Sequence, residues 1–335
     1  MLQQTNQKIS EAFYEKYLTI YRDDDVEPKA CILYFHGGGL LYGLRTDLPD
    51  GHIKRLTQAG YVIVAFDYPL APAVKLDKIL EDVCDSINYY LDGRIASLDN
   101  SLPHVLWGRS SGAYLCLLAA VSEKLKRIPA AVLSYYGYGF LCDGWFDNPT
   151  LYYCSLPRVD ASCLDSIDGA IHANGVLDTH YRIYVYARQT GAWRDLIYEG
   201  RMKFFYLNYS LRLCDKFPCP LFCAHSINDP DVPYKEFLEL CNRYSPKRYI
   251  ASCSQHDFDR EEDSLYTRTV LESTVQFLDQ QCKKVIPKEE HVSIFCRGCR
   301  NDCKLDVTLR AKKVIHVSGG GCRRSLSNAK KYLEQ

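Results

Sequence analysis

"HVLWGRSSGAYLCLLAAV", residues 104–121, decides the fold. A short apolar run enters a pentapeptide with glycine at both ends, GRSSG at 108–112, and leaves it into a second, longer apolar run. The first reads as a buried strand and the second as a helix. Between them G-x-S-x-G makes a sharp strand-to-helix turn that exposes its central serine, the flanking glycines permitting close backbone approach. Ser110 is therefore the candidate nucleophile. Ser111 beside it has the wrong spacing to Gly108 and Gly112.

The flanking sequence repeats the same alternation. Short apolar runs at 17–21, 30–35, 61–66, 104–108, 130–136, 220–225 and 247–252 have the composition of strands buried on both faces. Helical stretches are expected at 46–59, 76–92, 111–127, 233–243 and 263–284. Such alternation predicts an α/β fold with a mostly parallel sheet and helices on both faces. Residues 141–216, rich in aromatics and arginine, break the rhythm and read as an insertion over one end of the sheet. Its tyrosines either line a pocket or pack as the core of a lid.

Composition narrows the function. The chain has 335 residues, 47% hydrophobic and 24% charged, with formal net charge +0. That balance gives a sizeable core and argues against general affinity for nucleic acid or membranes. The polar start, MLQQTNQKISEAF, lacks the basic-then-apolar layout of a signal peptide, so a cytoplasmic location is expected. Sixteen cysteines then read as reduced or metal-bound thiols rather than disulfides.

A serine nucleophile needs a base and an acid that orients it, in the chain order Ser, Asp or Glu, His. That order filters the nine histidines. His52 and His104 precede Ser110, His172 and His180 fall in the insertion, and His291 and His316 lie in the tail. His225 sits at a strand end and reads as a core histidine. His256, in SQHDF after the last strand, is the candidate base, and HSINDPDVPY offers Asp229 or Asp231 as the acid.

With these residues in hand, the chain from about residue 25 to 285 resembles the α/β-hydrolases, specifically the hormone-sensitive-lipase-like esterases. HGGG at 36–39, DYPLAP at 67–72, GRSSG at 108–112, DPDVP at 229–233 and QHDF at 255–258 carry the resemblance. Its D-x-x-V-P spacing selects Asp229 over Asp231. It also implies an oxyanion hole made by the backbone N–H groups of Gly37, Gly38 and Ser111. DYPLAP is expected to brace the glycine loop, with Asp67 supporting the fold rather than the chemistry. Two departures stand out. The family has an acidic residue before the serine and a small one after it, where this chain has Arg109 and Ser111. That bears on substrate class more than on catalysis. The family's N-terminal cap is nearly absent, which would leave lid duty to the insertion.

The end of the chain differs in character. Cys296, Cys299, Cys303 and Cys322 give C-x2-C-x3-C-x18-C after a basic linker at 283–290. Thiolates in this pattern select an iron–sulfur cluster or zinc. The segment resembles the small four-cysteine domain at the ends of some flavin-dependent oxidoreductases of anaerobic bacteria. It is also similar to the cluster-binding segment of molybdopterin oxidoreductases. The expected organisation is a hydrolase domain over 1–285 and a metal-binding module over 286–335. The expected activity is that of a serine carboxylesterase acting on small-molecule short-chain acyl esters through an acyl-enzyme. No cofactor serves catalysis, and a redox-protein partner would dock through the tail. The alternatives are a peptidase or thioesterase on the same triad, or a non-hydrolytic redox or scaffold protein working through the tail.

Overall fold

Every residue of the strand Ala30–Phe35 is buried, and its side chains divide by the period of two that a pleated strand imposes. Cys31, Leu33 and Phe35 enter one apolar core, and Ala30, Ile32 and Tyr34 enter another. Tyr61–Phe66 divides in the same way. A strand buried on both faces needs helices on both faces, and the computed structural model has them. It describes residues 1–335 except 168, 283–289, 297–301, 311–312, 320–321, 323 and 334–335.

The chain divides into two compact units, Met1–Lys283 and Lys284–Gln335. In the first, strands β1 (Leu2–Ser10), β2 (Lys16–Asp23), β3 (Ala30–Phe35), β4 (Tyr61–Phe66), β5 (His104–Arg109), β6 (Ala131–Tyr135), β7 (Leu221–Ser226) and β8 (Lys247–Ala251) form one sheet. Their order is β1-β2-β4-β3-β5-β6-β7-β8. β2 runs antiparallel to β1 and β4, and every other pairing is parallel.

Helix α1 (Asp50–Gln58) sends Ile53 and Leu56 into the core on one face of the sheet. Helix α2 (Leu76–Leu91) sends Ile79, Val83 and Ile87 into the other core, joined by Leu115 and Leu117 of α3 (Ser111–Val121). The insertion between β6 and β7 holds α4 (Leu151–Cys154), α5 (Leu177–Thr190), α6 (Trp193–Ile197) and α7 (Met202–Asn208). After β7, α8 (Tyr234–Tyr244) adds Phe237 and Leu240 to the core of α2 and α3. α9 (Leu265–Gln281) adds Val270, Leu271 and Leu278 to the core of α1.

Three expectations need correction, the first being that β8, read as buried on both faces, is an edge strand with only Ala251 buried. Helix α3 ends at Val121, not 127, because Ser122 turns extended (ψ 145°) and a charged stretch leads on to Pro129. The N-terminus is a strand that sequence patterning missed: β1 is polar and mostly exposed, and it pairs with β2 alone at the sheet edge.

In the insertion, Phe146, Tyr153, Tyr184, Trp193 and Phe205 are buried together, so these aromatics pack as a core. Its entry is fixed by Glu236 of α8. This fully buried carboxylate accepts the N–H groups of Gly139 (3.1 Å) and Phe140 (2.9 Å) and the Trp145 indole N–H (3.1 Å). Among the described residues no helix is long and apolar enough to cross a membrane.

The second unit is an antiparallel sheet of β9 (Glu290–Phe295), β10 (Lys304–Arg310) and β11 (Lys313–Ser318), in the order β11-β10-β9, followed by α10 (Ser325–Leu333). Its core is small: Cys296, Leu305, Val307, Leu309, Val314 and Ala329.

Candidate active site

At the junction of β5 and α3 the chain reverses so tightly that two glycines are obligatory. A Cβ on Gly108 would lie 2.1 Å from the Gly112 carbonyl carbon, and one on Gly112 would lie 2.1 Å from the Phe35 oxygen. Ser110, between them, has φ +52° and ψ −120°, a left-handed conformation costly for any residue with a side chain. Its N–H is anchored on the Tyr135 oxygen (2.8 Å) and its carbonyl accepts from Tyr114 (3.1 Å), so the surrounding backbone imposes the strain.

The loops after β7 and β8 bring the other expected residues to this turn. His256 Nε2 lies 2.9 Å from Ser110 Oγ, and His256 Nδ1 lies 2.7 Å from Asp229 Oδ2. The other Asp229 oxygen accepts the backbone N–H groups of Asp231 (2.8 Å) and Val232 (3.0 Å), which fixes the carboxylate. Burial opposes charge on both partners, yet each favours the charged form of the other. Asp229 lies below the usual carboxylate range, and His256 is raised to about 9 by Asp229, with Asp231 and Asp257 adding to it. His225, read as a core histidine, is buried with Nε2 on the Val232 carbonyl (3.1 Å).

The glycine loop follows β3. Gly38 has φ +105°, and a Cβ there would fall 1.9 Å from the Tyr42 oxygen. Gly37 lies against the turn at Ser110, with a Cβ position 3.0 Å from the Arg109 oxygen. Among the described residues no hydrogen bond takes up the backbone N–H of Gly37, Gly38 or Ser111. The loop is braced by Tyr68 of the DYPLAP segment, whose ring stacks on His36 (4.2 Å) and whose hydroxyl donates to the His36 carbonyl (3.0 Å). Asp67 instead pairs with Arg45 (2.9 Å) and accepts the Tyr17 N–H (2.9 Å).

Residues 32–149 match a family profile described as "alpha/beta hydrolase fold". A Staphylococcus aureus Mu50 protein of unknown function superposes with TM-score 0.70 at 28% identity, over 83% of this chain and 99% of that one. An alpha/beta hydrolase superfamily protein from Enterococcus faecalis gives 0.71 at 24%, over 83% and 99%. The chain has the α/β-hydrolase fold. An esterase of Pyrobaculum calidifontis shares this hydrolase fold at 16% identity, TM-score 0.59, over 83% of this chain and 85% of that one. Among curated proteins, the non-reducing polyketide synthase adrD of Penicillium roqueforti is 29% identical over 137 residues, 38% of this chain. The match spans only 6% of that synthase's length.

Two groups beside Ser110, His256 and Asp229 escaped the sequence reading. In this hydrolase fold Arg109, the residue before Ser110, is buried, and its Nη2 donates to Asp259 Oδ1 (3.1 Å). Asp259, fully buried, also accepts from the Tyr136 hydroxyl (3.0 Å) and lies 2.8 Å from His52 Nε2. The Arg109 departure is thus answered inside the protein, by a carboxylate three positions after His256. The second group surrounds Asp231. Its carboxylate accepts from the Tyr184 hydroxyl (2.8 Å to both oxygens), pairs with Arg188 Nε (3.3 Å) and stands 3.8 Å from His256 Nε2. Both groups join residues far apart in sequence, and no motif spacing announces either.

In the tail, Cys296 donates its N–H to the Cys303 carbonyl (2.8 Å), so these two cysteines face each other where β9 and β10 meet. Cys296 Sγ accepts from Asn328 Nδ2 (3.3 Å), and Cys322 is exposed just before α10. Cys299 lies outside the described residues. Among the described residues no three His, Cys, Asp or Glu side chains gather as ligands for a metal ion.

Proposed function

We propose that this chain is a serine carboxylesterase that hydrolyses short-chain acyl esters through an acyl-enzyme. One observation carries the reading: the continuous relay Ser110 Oγ, His256, Asp229 at 2.9 and 2.7 Å, built on a serine held at φ +52°. In it the Ser110 hydroxyl proton passes to His256 Nε2 as Oγ bonds to the acyl carbon. The same proton then goes to the leaving alkoxide, and water repeats the sequence to free Ser110. Asp229 holds the imidazole in the tautomer that can accept at Nε2. The backbone N–H groups of Gly37, Gly38 and Ser111 serve as oxyanion donors. A small acyl group is supported by the filling of the space beside the glycine loop, where the Tyr184 ring packs on Gly39 and the Trp193 indole donates to the Gly39 carbonyl (2.8 Å).

p-Nitrophenyl esters of graded chain length, assayed beside a matched thioester and an anilide, test the reaction class. Turnover should be highest on the short esters, and a serine-directed phosphonate should label Ser110. Label elsewhere, or turnover surviving Ser110→Ala, overturns the proposal.

For the tail we propose a thiolate metal site on Cys296, Cys299, Cys303 and Cys322, holding an iron–sulfur cluster or zinc. The spacing and the facing pair Cys296 and Cys303 support it. Metal analysis of anaerobically purified protein decides it, and a chain with neither metal refutes it.

A further inference from the structure

His256 has a carboxylate at each ring nitrogen. Asp229 sits at Nδ1, as a triad acid does. Asp231 stands at the other nitrogen, with Oδ2 3.8 Å from Nε2, the atom that takes and gives the proton. Asp231 is not a stray surface charge, because only 4% of it is exposed. It is held by one helix of the insertion. Tyr184 and Arg188 lie one turn apart on α5, which puts both on one helix face. Tyr184 donates to both carboxylate oxygens, Arg188 Nε lies 3.3 Å from Oδ1, and Arg188 Nη2 donates to the Asp231 carbonyl (3.1 Å). Arg188 is itself 1% exposed and lies over the Trp145 ring at 4.7 Å.

We propose that Asp231 is a second carboxylate partner of His256, stabilising the imidazolium from the Nε2 side, and that α5 sets its strength through Arg188 and Tyr184. The inference rests on the serine-hydrolase reading. When Ser110 Oγ bonds to the acyl carbon, its proton moves to Nε2 and the ring becomes cationic. Asp231 takes no proton; its negative charge favours that cation. Arg188 acts in the opposite direction, because its positive charge partly cancels Asp231 at the histidine. The insertion is then part of the electrostatics of the reaction as well as a roof.

Charges near His256 come from several elements, and the signs must be kept apart. Asp229 and Asp231 approach from the loop after β7, Asp257 adjoins His256 in its own loop, and all three favour the cation. His225 at the end of β7 lies 3.4 Å from Asp229, Ser110 faces Nε2, and the Tyr136 ring meets the imidazole edge-on at 4.7 Å. Around Asp231 stand Tyr184 and Arg188 of α5, with Tyr42, Tyr138 and Tyr153 near by. Arg188 is the cation among them. Removing Asp231 and removing Arg188 must therefore move the histidine in opposite directions.

The experiment is the pH dependence of kcat/KM on a short p-nitrophenyl ester, for the full chain and for Asp231→Asn, Arg188→Met and Tyr184→Phe. Activity requires neutral His256, so the acid limb reports the pKa of that group. Asp231→Asn should lower kcat about tenfold, leave KM within about twofold, and move the limb down by roughly one pH unit, the same free energy read twice. Arg188→Met should move the limb up. Tyr184→Phe, which keeps every charge, should shift it up by less, and it carries the same sign should Arg188→Met not fold. An NMR titration of the His256 ring in wild type and Asp231→Asn reads the shift without turnover. Loss of activity at every pH with an unmoved limb and an unmoved NMR titration overturns the inference and leaves Asp231 a structural residue. Limbs that move the same way for Asp231→Asn and Arg188→Met overturn it too. If wild type neither hydrolyses esters nor labels at Ser110, the serine-hydrolase reading falls first, and the inference with it.

Discussion

Replacing Asp259 by Asn keeps the shape of a fully buried side chain and removes its charge. Arg109 then stays in the interior, 3% exposed, without its counter-ion. Breaking a buried pair from one side costs about 3–5 kcal/mol. Asn retains hydrogen-bonding atoms for Tyr136, so a loss of about 3 kcal/mol is expected, a large share of the roughly 5–15 kcal/mol that holds a domain folded. The pH dependence follows from the same pair. Burial alone would raise the Asp259 pKa, but the Arg109 charge and the hydrogen bonds from His52 and Tyr136 hold it well below the usual carboxylate range. Its contribution is therefore complete above the unfolded value of about 3.9 and fades as pH falls toward the folded value. Wild type should lose stability in acid faster than Asp259→Asn does. The assay is urea unfolding at neutral and acid pH for Asp259→Asn, Arg109→Met and the double variant, with ester turnover measured alongside. The double variant should cost at least about 1 kcal/mol less than the sum of the singles, as coupled neighbours do. Turnover of Asp259→Asn should fall up to about a hundredfold with little change in KM, since the loop that carries His256 loses its anchor. A loss below about 1 kcal/mol in Asp259→Asn, or strict additivity in the double variant, would refute the network as a unit.

Gly112→Ala should cost more than about 4 kcal/mol in urea unfolding, because the new methyl falls 2.1 Å from a backbone oxygen that cannot yield. Gly144→Ala, whose Cβ position has a hydroxyl 3.8 Å away as its nearest neighbour, should cost far less despite its φ of +61°. Gly38→Ala should cut kcat by about 10²–10³ while KM holds, as loss of an oxyanion donor does; a rise in KM alone contradicts the assignment. The wild-type acid limb should lie well above the 6.5 of a free imidazole, toward about 9, where Asp229 holds His256 against its burial, so hydrolysis should climb through the mildly alkaline range. A flat profile from pH 6 to 9 contradicts it. A chain cut after residue 283, where the first compact unit ends, should fold and keep its turnover; a folded but inactive product shows that the tail is needed.

Most of the sheet was legible because a strand buried on both faces must be apolar along its whole length, as ACILYF and YVIVAF are. β1 was not, because an exposed edge strand needs no apolar side chains, and LQQTNQKIS has almost none. Ser110, Asp229 and His256 could be found because each follows a readable strand and the chain order is fixed by the architecture. Asp259 and Asp231 carry no such address. Asp259 meets Arg109 across 150 positions, and Asp231 meets Tyr184 across 47. Both are tertiary pairings that only folding creates. The spacing rule that ranked Asp229 above Asp231 also left no role for the loser.

Gly39 sits where the insertion and the glycine loop touch. Its carbonyl receives the Trp193 indole, its missing side chain makes room for the Tyr184 ring, and nearby Gly43 forms a two-way backbone bridge with Gly175. The insertion is thereby mortised into the glycine loop, and exchanging it wholesale for a relative's would withdraw the tenon from that loop. Variation in substrate choice is then channelled. Changes scattered over the outer face of the insertion can accumulate freely, whereas those at Tyr184, Trp193 or Gly175 must arrive together with matching changes at 38–43. A library that randomises both sides of this joint at once should yield altered acyl preference, where one-sided libraries return mostly inactive chains.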